Sequence, residues 1–159
     1  MSKHQYRVSI RWTGNTGEGT ASYRGYSRDH VIDGQGKPRI AGSSDPHFRG
    51  DAARWNPEEL LLAALSACHQ LAYLHLCAVN GVVVTAYEDN AEGVMEERGE
   101  GGAFTSATLH PKVTIRAGCD AQLAQSLHHQ AHVACFIAAS VNFPVGCEAE
   151  TKVDSKTDD

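Results

Sequence analysis

A strong helix start lies at Asn56-Pro57-Glu58-Glu59. Asparagine is a favoured N-cap, and proline suits the first helical position. A glutamate three residues past the cap can bond back to the cap's own amide. The apolar run Leu60 to Leu65 follows at once, and Asn80-Gly81 supplies a stop signal. The spacing therefore predicts one helix over residues 57–79. Its apolar residues fall on nearly every face, which calls for a central, buried position. A lone cysteine, Cys68, sits midway along it.

The rest of the chain alternates between strand and turn patterns. Tyr6, Val8, Ile10 and Trp12 alternate with polar residues as a half-buried strand does. The Gly-rich turn after it leads to Thr20–Tyr26, expected as the hairpin partner. Residues 33–55 read as a long irregular segment, and such loops often carry function. Val82–Tyr87 reads as a strand, 96–102 as a polar turn, and 104–115 as one strand with Pro111 at a bulge or edge. Asp120 can cap a second helix with Leu123, Leu127, Ala131 and Ala134 on one face, ending between Cys135 and Ala139. Val145–Val153 suits a last, edge strand. The order points to an α+β fold in a single domain, 1–153, followed by a charged tail, 154–159, expected to be disordered.

Composition narrows the function. The formal net charge is −5, and no basic patch with interleaved aromatics appears, which argues against general nucleic-acid binding. The uninterrupted apolar run Leu60 to Leu65 falls short of a membrane span, so none is expected. The N-terminus has no apolar signal segment. Five cysteines are present, an odd count with no C-x-x-C pair, so no disulfide framework is read. Reduced thiols in a cytoplasmic protein are the expectation, where cysteines tend to be catalytic, redox-active or metal-binding. Cys77, Cys119 and Cys147 read as small buried hydrophobes.

Cys68 and Cys135 carry more weight. Asn56-Pro57-Glu58-Glu59-Leu60-Leu61 with Cys68 downstream, and His132-x-x-Cys135 just before a run of small side chains, resemble the OsmC/Ohr family of hydroperoxide-reducing proteins. Trp12-Thr13-Gly14 with Gly17 and Gly19 resembles the first hairpin of its OsmC branch. The resemblance implies an intertwined homodimer, with two central helices inside antiparallel sheets. It also implies thiol-dependent reduction of organic hydroperoxides and, less efficiently, of hydrogen peroxide. Cys68 would be the peroxidatic thiolate, Cys135 the resolving thiol and Glu58 the active-site glutamate. Attack on the O–O bond leaves a sulfenic acid on Cys68, Cys135 condenses with it to a disulfide, and an external dithiol reduces that bridge. No metal, haem or flavin is called for.

Glu58 and Cys68 lie ten residues apart, about 15 Å along a straight helix. A glutamate serving Cys68 would therefore come from a partner subunit. Glu58 at the second helical position also suits the helix dipole, and the two roles are compatible. The family's arginine is less fixed. Residues 13–20 contain none, and aligning Phe48-x-Gly50 puts His47 at the other branch's arginine position, with Arg49 two residues on. Arg49 is the choice, ahead of Arg39 and Arg54. His69 stands where an aromatic residue is usual after the first cysteine, and Phe136 where proline is frequent after the second, which marks a divergent branch.

Two other readings remain open. His128, His129, His132 and Cys135 have helical spacings that suit a zinc or copper site, with His69 and Cys68 joining from the first helix. Alternatively, Leu61, Leu65, Leu71 and Phe136 could line a cleft for an apolar small molecule in a dimer without peroxidase activity.

Overall fold

The computed structural model describes residues 1–155. Asp154 donates its amide to the Ile115 carbonyl at 2.7 Å, so the last strand is tied down to that point. The rest of the expected tail, from residue 156, lies outside the described residues. The fold is α+β, with two helices and three small sheets. Backbone contacts divide the chain into two compact units, Met1–Leu60 and Leu61–Asp159.

The first unit holds an antiparallel sheet of β1 (Ser9–Trp12), β2 (His30–Asp33) and β3 (Ile40–Gly42) in that order. The expected hairpin partner, Thr20–Tyr26, is not a strand; β1 pairs instead with β2, Ser9 opposite Asp33 and Trp12 opposite His30. Local side chains hold the intervening segment as a loop. Asn15 Oδ1 accepts from the amides of Gly17 and Gly19, and the Arg28 guanidinium donates to the Tyr23 and Tyr26 carbonyls while lying over both rings. The region expected to be irregular, 33–55, contains β3 and a 3-10 turn, Pro46–Phe48.

α1 runs from Pro57 to Val79, the span predicted from its caps. Glu59 N donates to Asn56 Oδ1 at 2.8 Å, and Asn56 N donates to Glu59 Oε1 at 3.2 Å, closing a capping box. At the far end Gly81 takes φ 74°, which lets the Val82 amide reach the Cys77 carbonyl at 2.9 Å. Burial is narrower than the all-round apolar pattern implied. Leu65, His69, Tyr73 and Cys77 form one buried stripe at four-residue spacing, whereas Leu71 and Val79 are 68% and 65% exposed. By length and composition α1 is apolar enough to cross a membrane, a test that the core helix of a soluble protein also passes. Here its buried stripe packs into the core of the second unit and carries a histidine and a tyrosine.

The second unit adds β4 (Val84–Asp89), β5 (Glu92–Arg98), β6 (Gly101–Leu109), β7 (Pro111–Ile115), α2 (Ala121–Ala134), β8 (Val145–Cys147) and β9 (Glu150–Val153). The expected turn at 96–102 is instead mostly strand. β5 and β6 form a hairpin closed at Gly99-Glu100, with Gly99 at φ 61°. The single strand expected over 104–115 breaks at His110 and feeds two sheets, ordered β5-β6-β8 and β4-β7-β9. Pro111 opens β7, where its missing N–H costs the ladder least. Val145–Val153 likewise divides. β8 and β9 take the edges, as the charge pattern implied, but they pair parallel to β6 and β7 because the chain returns through α2.

Tyr73, Cys77, Val82, Val113, Ile115, Ala124, Leu127 and Ala131 form the core of this unit. The buried Tyr73 hydroxyl donates to the Ala124 carbonyl at 3.0 Å, so the ring is enclosed without stranding its polar end. On α2, Ala124 and His128 join Leu127 and Ala131 on the buried face, while Ala134 is exposed.

Candidate functional site

Cys68 and Cys135 come together in the second unit. α1 places Cys68, half-buried, beside its buried stripe. Cys135 leaves the helix as the C-cap of α2, its amide still bonded to the His132 carbonyl at 3.2 Å. Its thiol is buried, and Cys68 is a close neighbour. The chain then tightens into a 3-10 turn, Ala138–Ser140, and the Ala138 amide donates to Cys135 Sγ at 3.4 Å. Burial pushes the Cys135 pKa up, the neighbouring backbone amides oppose that, and the contact with Cys68 adds to it. Cys135 is thus held as a protonated thiol against a second sulfur. Among the described residues all five cysteines are free.

The other expected residues lie in the first unit. Arg54 is committed to the backbone, donating to the Gly42 and His30 carbonyls at 2.9 Å each, with Asp29 nearby at 3.7 Å. Arg39 forms a surface ion pair with Asp33 at 2.7 Å. Arg49 differs from both. It caps the 3-10 turn at φ 66°, a left-handed conformation unusual for a residue with a side chain. Its guanidinium lies 5.9 Å from the Tyr23 ring and makes no hydrogen bond or ion pair among the described residues. Glu58 keeps one carboxylate oxygen, Oε2, buried and without a hydrogen-bond partner.

A second cluster was only partly legible from the sequence, which offered His69 and His128 as metal ligands but not Cys147. His69 Nε2 lies 3.0 Å from His128 Nδ1, and Cys147 Sγ lies 3.8 Å from the same His69 nitrogen. Tyr73 stacks on His128 at 3.9 Å between ring centroids and fixes its plane. Burial lowers the pKa of His69 and brings His128 down to about 4, so both rings are neutral near pH 7. Cys147 was read as a buried hydrophobe. The residue is instead exposed overall, with its sulfur turned to His69; partial burial of the thiol, with the Asp89 carboxylate, pushes its pKa up to about 11. Of the other histidines in the helical metal pattern, His129 is exposed and His132 half-buried, and the pattern's cysteine, Cys135, belongs to the thiol pair. Of the four residues proposed for an apolar cleft, Leu65 is enclosed in the core while Leu71 and Phe136 are 68% and 82% exposed, so they line no common cleft within one chain.

The model of the family described as OsmC-like protein matches residues 50–150. An OsmC-like protein of unknown function from Vibrio cholerae is 32% identical; the match covers 94% of this chain and all of that one, with a TM-score of 0.82. The fold is shared with more distant structures. An organic hydroperoxide resistance protein OsmC from Legionella pneumophila has 19% identity, coverage of 95% and 100%, and a TM-score of 0.66. The organic hydroperoxide resistance protein OhrB of Bacillus subtilis has 20% identity, coverage of 94% and 98%, and a TM-score of 0.62. No curated protein matches the chain.

Proposed function

The chain belongs to the OsmC-like protein family, and from its paired thiols we propose that it is a cysteine-based peroxidase that reduces organic hydroperoxides. The observation that carries this is the proximity of Cys68 to the buried Cys135. The hydroperoxide resistance named for two structures of the same fold points to the substrate class. The Cys68 thiolate attacks the outer peroxide oxygen; the O–O bond breaks and the alkoxide leaves as alcohol after taking a proton. The sulfur is oxidised to sulfenic acid. The Cys135 sulfur then displaces hydroxide, which leaves as water, and an intramolecular disulfide forms. An external dithiol returns both cysteines to thiols by exchange, in a reducing compartment such as the cytoplasm. Stopped-flow consumption of an alkyl hydroperoxide and of hydrogen peroxide, with a dithiol present, tests the reading. Catalytic, dithiol-dependent loss of the alkyl hydroperoxide is expected. Loss no faster than with the dithiol alone would end it.

We take Arg49 and Glu58 as the residues that activate the thiol. Arg54 and Arg39 are already bound, whereas Arg49 holds a left-handed backbone and a guanidinium that has no hydrogen bond or ion pair among the described residues. A guanidinium near sulfur favours the thiolate, and a carboxylate such as Glu58 fixes the guanidinium's direction. Arg49→Ala is expected to slow both peroxide reaction and alkylation of Cys68, whereas Arg39→Ala and Arg54→Ala leave them alone. Alkylation of Cys68 by iodoacetamide, followed against pH in the three variants, separates them. Unchanged alkylation in Arg49→Ala, with slower alkylation in another variant, moves the role to that arginine.

Glu58 and Cys68 stand on one unbroken helix, about 15 Å apart in rise. A Glu58 that serves Cys68 therefore comes from an antiparallel second copy, and the active form is a homodimer. The exposed apolar residues Leu71, Val79, Val133 and Phe136 give such a copy something to bury. Light scattering at micromolar concentration should report twice the chain mass; a stable monomer of 17.1 kDa would count against the shared site.

A further inference from the structure

We propose that His69, His128 and Cys147 form a binding site for one zinc ion per chain, separate from the Cys68–Cys135 pair. Their ligand atoms all lie within 4.8 Å of one another, drawn from α1, α2 and the end of β8. Two imidazole nitrogens and a thiolate are donors that zinc favours. With bonds of about 2.0–2.3 Å, a tetrahedral zinc sets its ligands roughly 3.3–3.7 Å apart. Two of the three separations, 3.0 Å between the imidazoles and 3.8 Å from sulfur to His69, fall within a few tenths of an ångström of that range, and the third, from sulfur to His128, is within 4.8 Å.

A single hydrogen bond joins the two rings. His69 Nε2 and His128 Nδ1 share a single proton, whichever ring carries it. Nothing in the thiol-pair chemistry uses these rings. The rings are held still: Tyr73 stacks on His128, and its own hydroxyl is anchored to Ala124. A cavity of about 330 Å³ bounded by Gln125, His128, His129, His132, Cys147 and neighbouring residues adjoins the cluster. It offers a path for the ion and room for a fourth ligand, either water or His132. Three protein ligands with an open fourth position is the arrangement of zinc sites that bind an exchangeable ligand.

The test reads metal and is independent of peroxide turnover. Full-length protein stripped with a chelator is titrated with zinc against a chromophoric competitor, and in parallel with cobalt(II). One zinc per chain is expected, with a thiolate-to-cobalt charge-transfer band and the intense visible bands of a four-coordinate ion. Cys147→Ser lies at the surface and should fold. It should lose the charge-transfer band and weaken zinc binding beyond the roughly 10–100-fold cost of losing an outer-shell partner. The Cys68→Ser/Cys135→Ser double variant should bind as the parent does. Three results would overturn the proposal: no zinc bound at micromolar concentration, a cobalt spectrum unchanged in Cys147→Ser, or binding abolished in the double variant. The first would make the histidine pair a packing feature, and the last would place the ion on the redox thiols.

Discussion

Cys68→Ser is expected to abolish hydroperoxide turnover, leaving only the rate of the dithiol alone. A hydroxyl is a far weaker nucleophile than a thiolate, and no other thiol sits against Cys135 in the same way. The loss should reach roughly 10³-fold or more, the scale on which enzymes lose activity when a nucleophile is removed. Cys68 is half-buried and serine is close to it in size, so the variant should fold, and circular dichroism checks that. Because Cys147 and Cys119 remain, the experiment also asks whether any accessible thiol suffices. Wild-type turnover in Cys68→Ser would remove Cys68 from the mechanism.

Cys135→Ser should separate the two halves of the reaction. The first equivalent of hydroperoxide is still reduced, because the attacking sulfur is untouched. The sulfur beside Cys68 is then gone, so the sulfenic acid persists. It should be trapped by dimedone, and excess peroxide should drive it to the sulfinic acid. Steady-state turnover with a dithiol falls to whatever rate the dithiol attacks the sulfenic acid directly. A stoichiometric burst followed by a stall is therefore the signature. Full turnover with no trapped sulfenic acid would assign resolution to another group. The buried position of Cys135 and its amide contact fit a thiol reserved for its neighbour.

Much of this was legible because the decisive signals were local. The Asn56–Glu59 capping box and Gly81 set both ends of α1, and Asp120 capped α2 through the Gln122 and Leu123 amides. Cys68 and Cys135 were singled out from residue pattern and resemblance, not from their contact. What escaped was decided by tertiary pairing. Glu92–Arg98 is exposed along its whole length, so it lacks the alternation that marks a half-buried strand, and it exists as β5 because β6 pairs with it. The break at His110 depends on sheet membership, with the His110 amide held by Asp89 at 2.7 Å. Thr20–Tyr26 had strand-like composition, but Asn15 and Arg28 tie that segment into a loop. Cys147 is 78 residues from His69, and the helical spacing of the histidines pointed to a different cysteine.

The central claim is that oxidation by hydroperoxide joins Cys68 to Cys135. Peptide mapping by mass spectrometry tests it most directly, after one equivalent of an organic hydroperoxide has been added to the reduced protein and free thiols have been blocked. A single intrachain bridge between the Cys68 and Cys135 peptides, forming as the hydroperoxide disappears and lost on addition of a dithiol, is the expected result. A bridge that instead involves Cys147 or Cys119, or peroxide consumed with Cys135 still free, would contradict it.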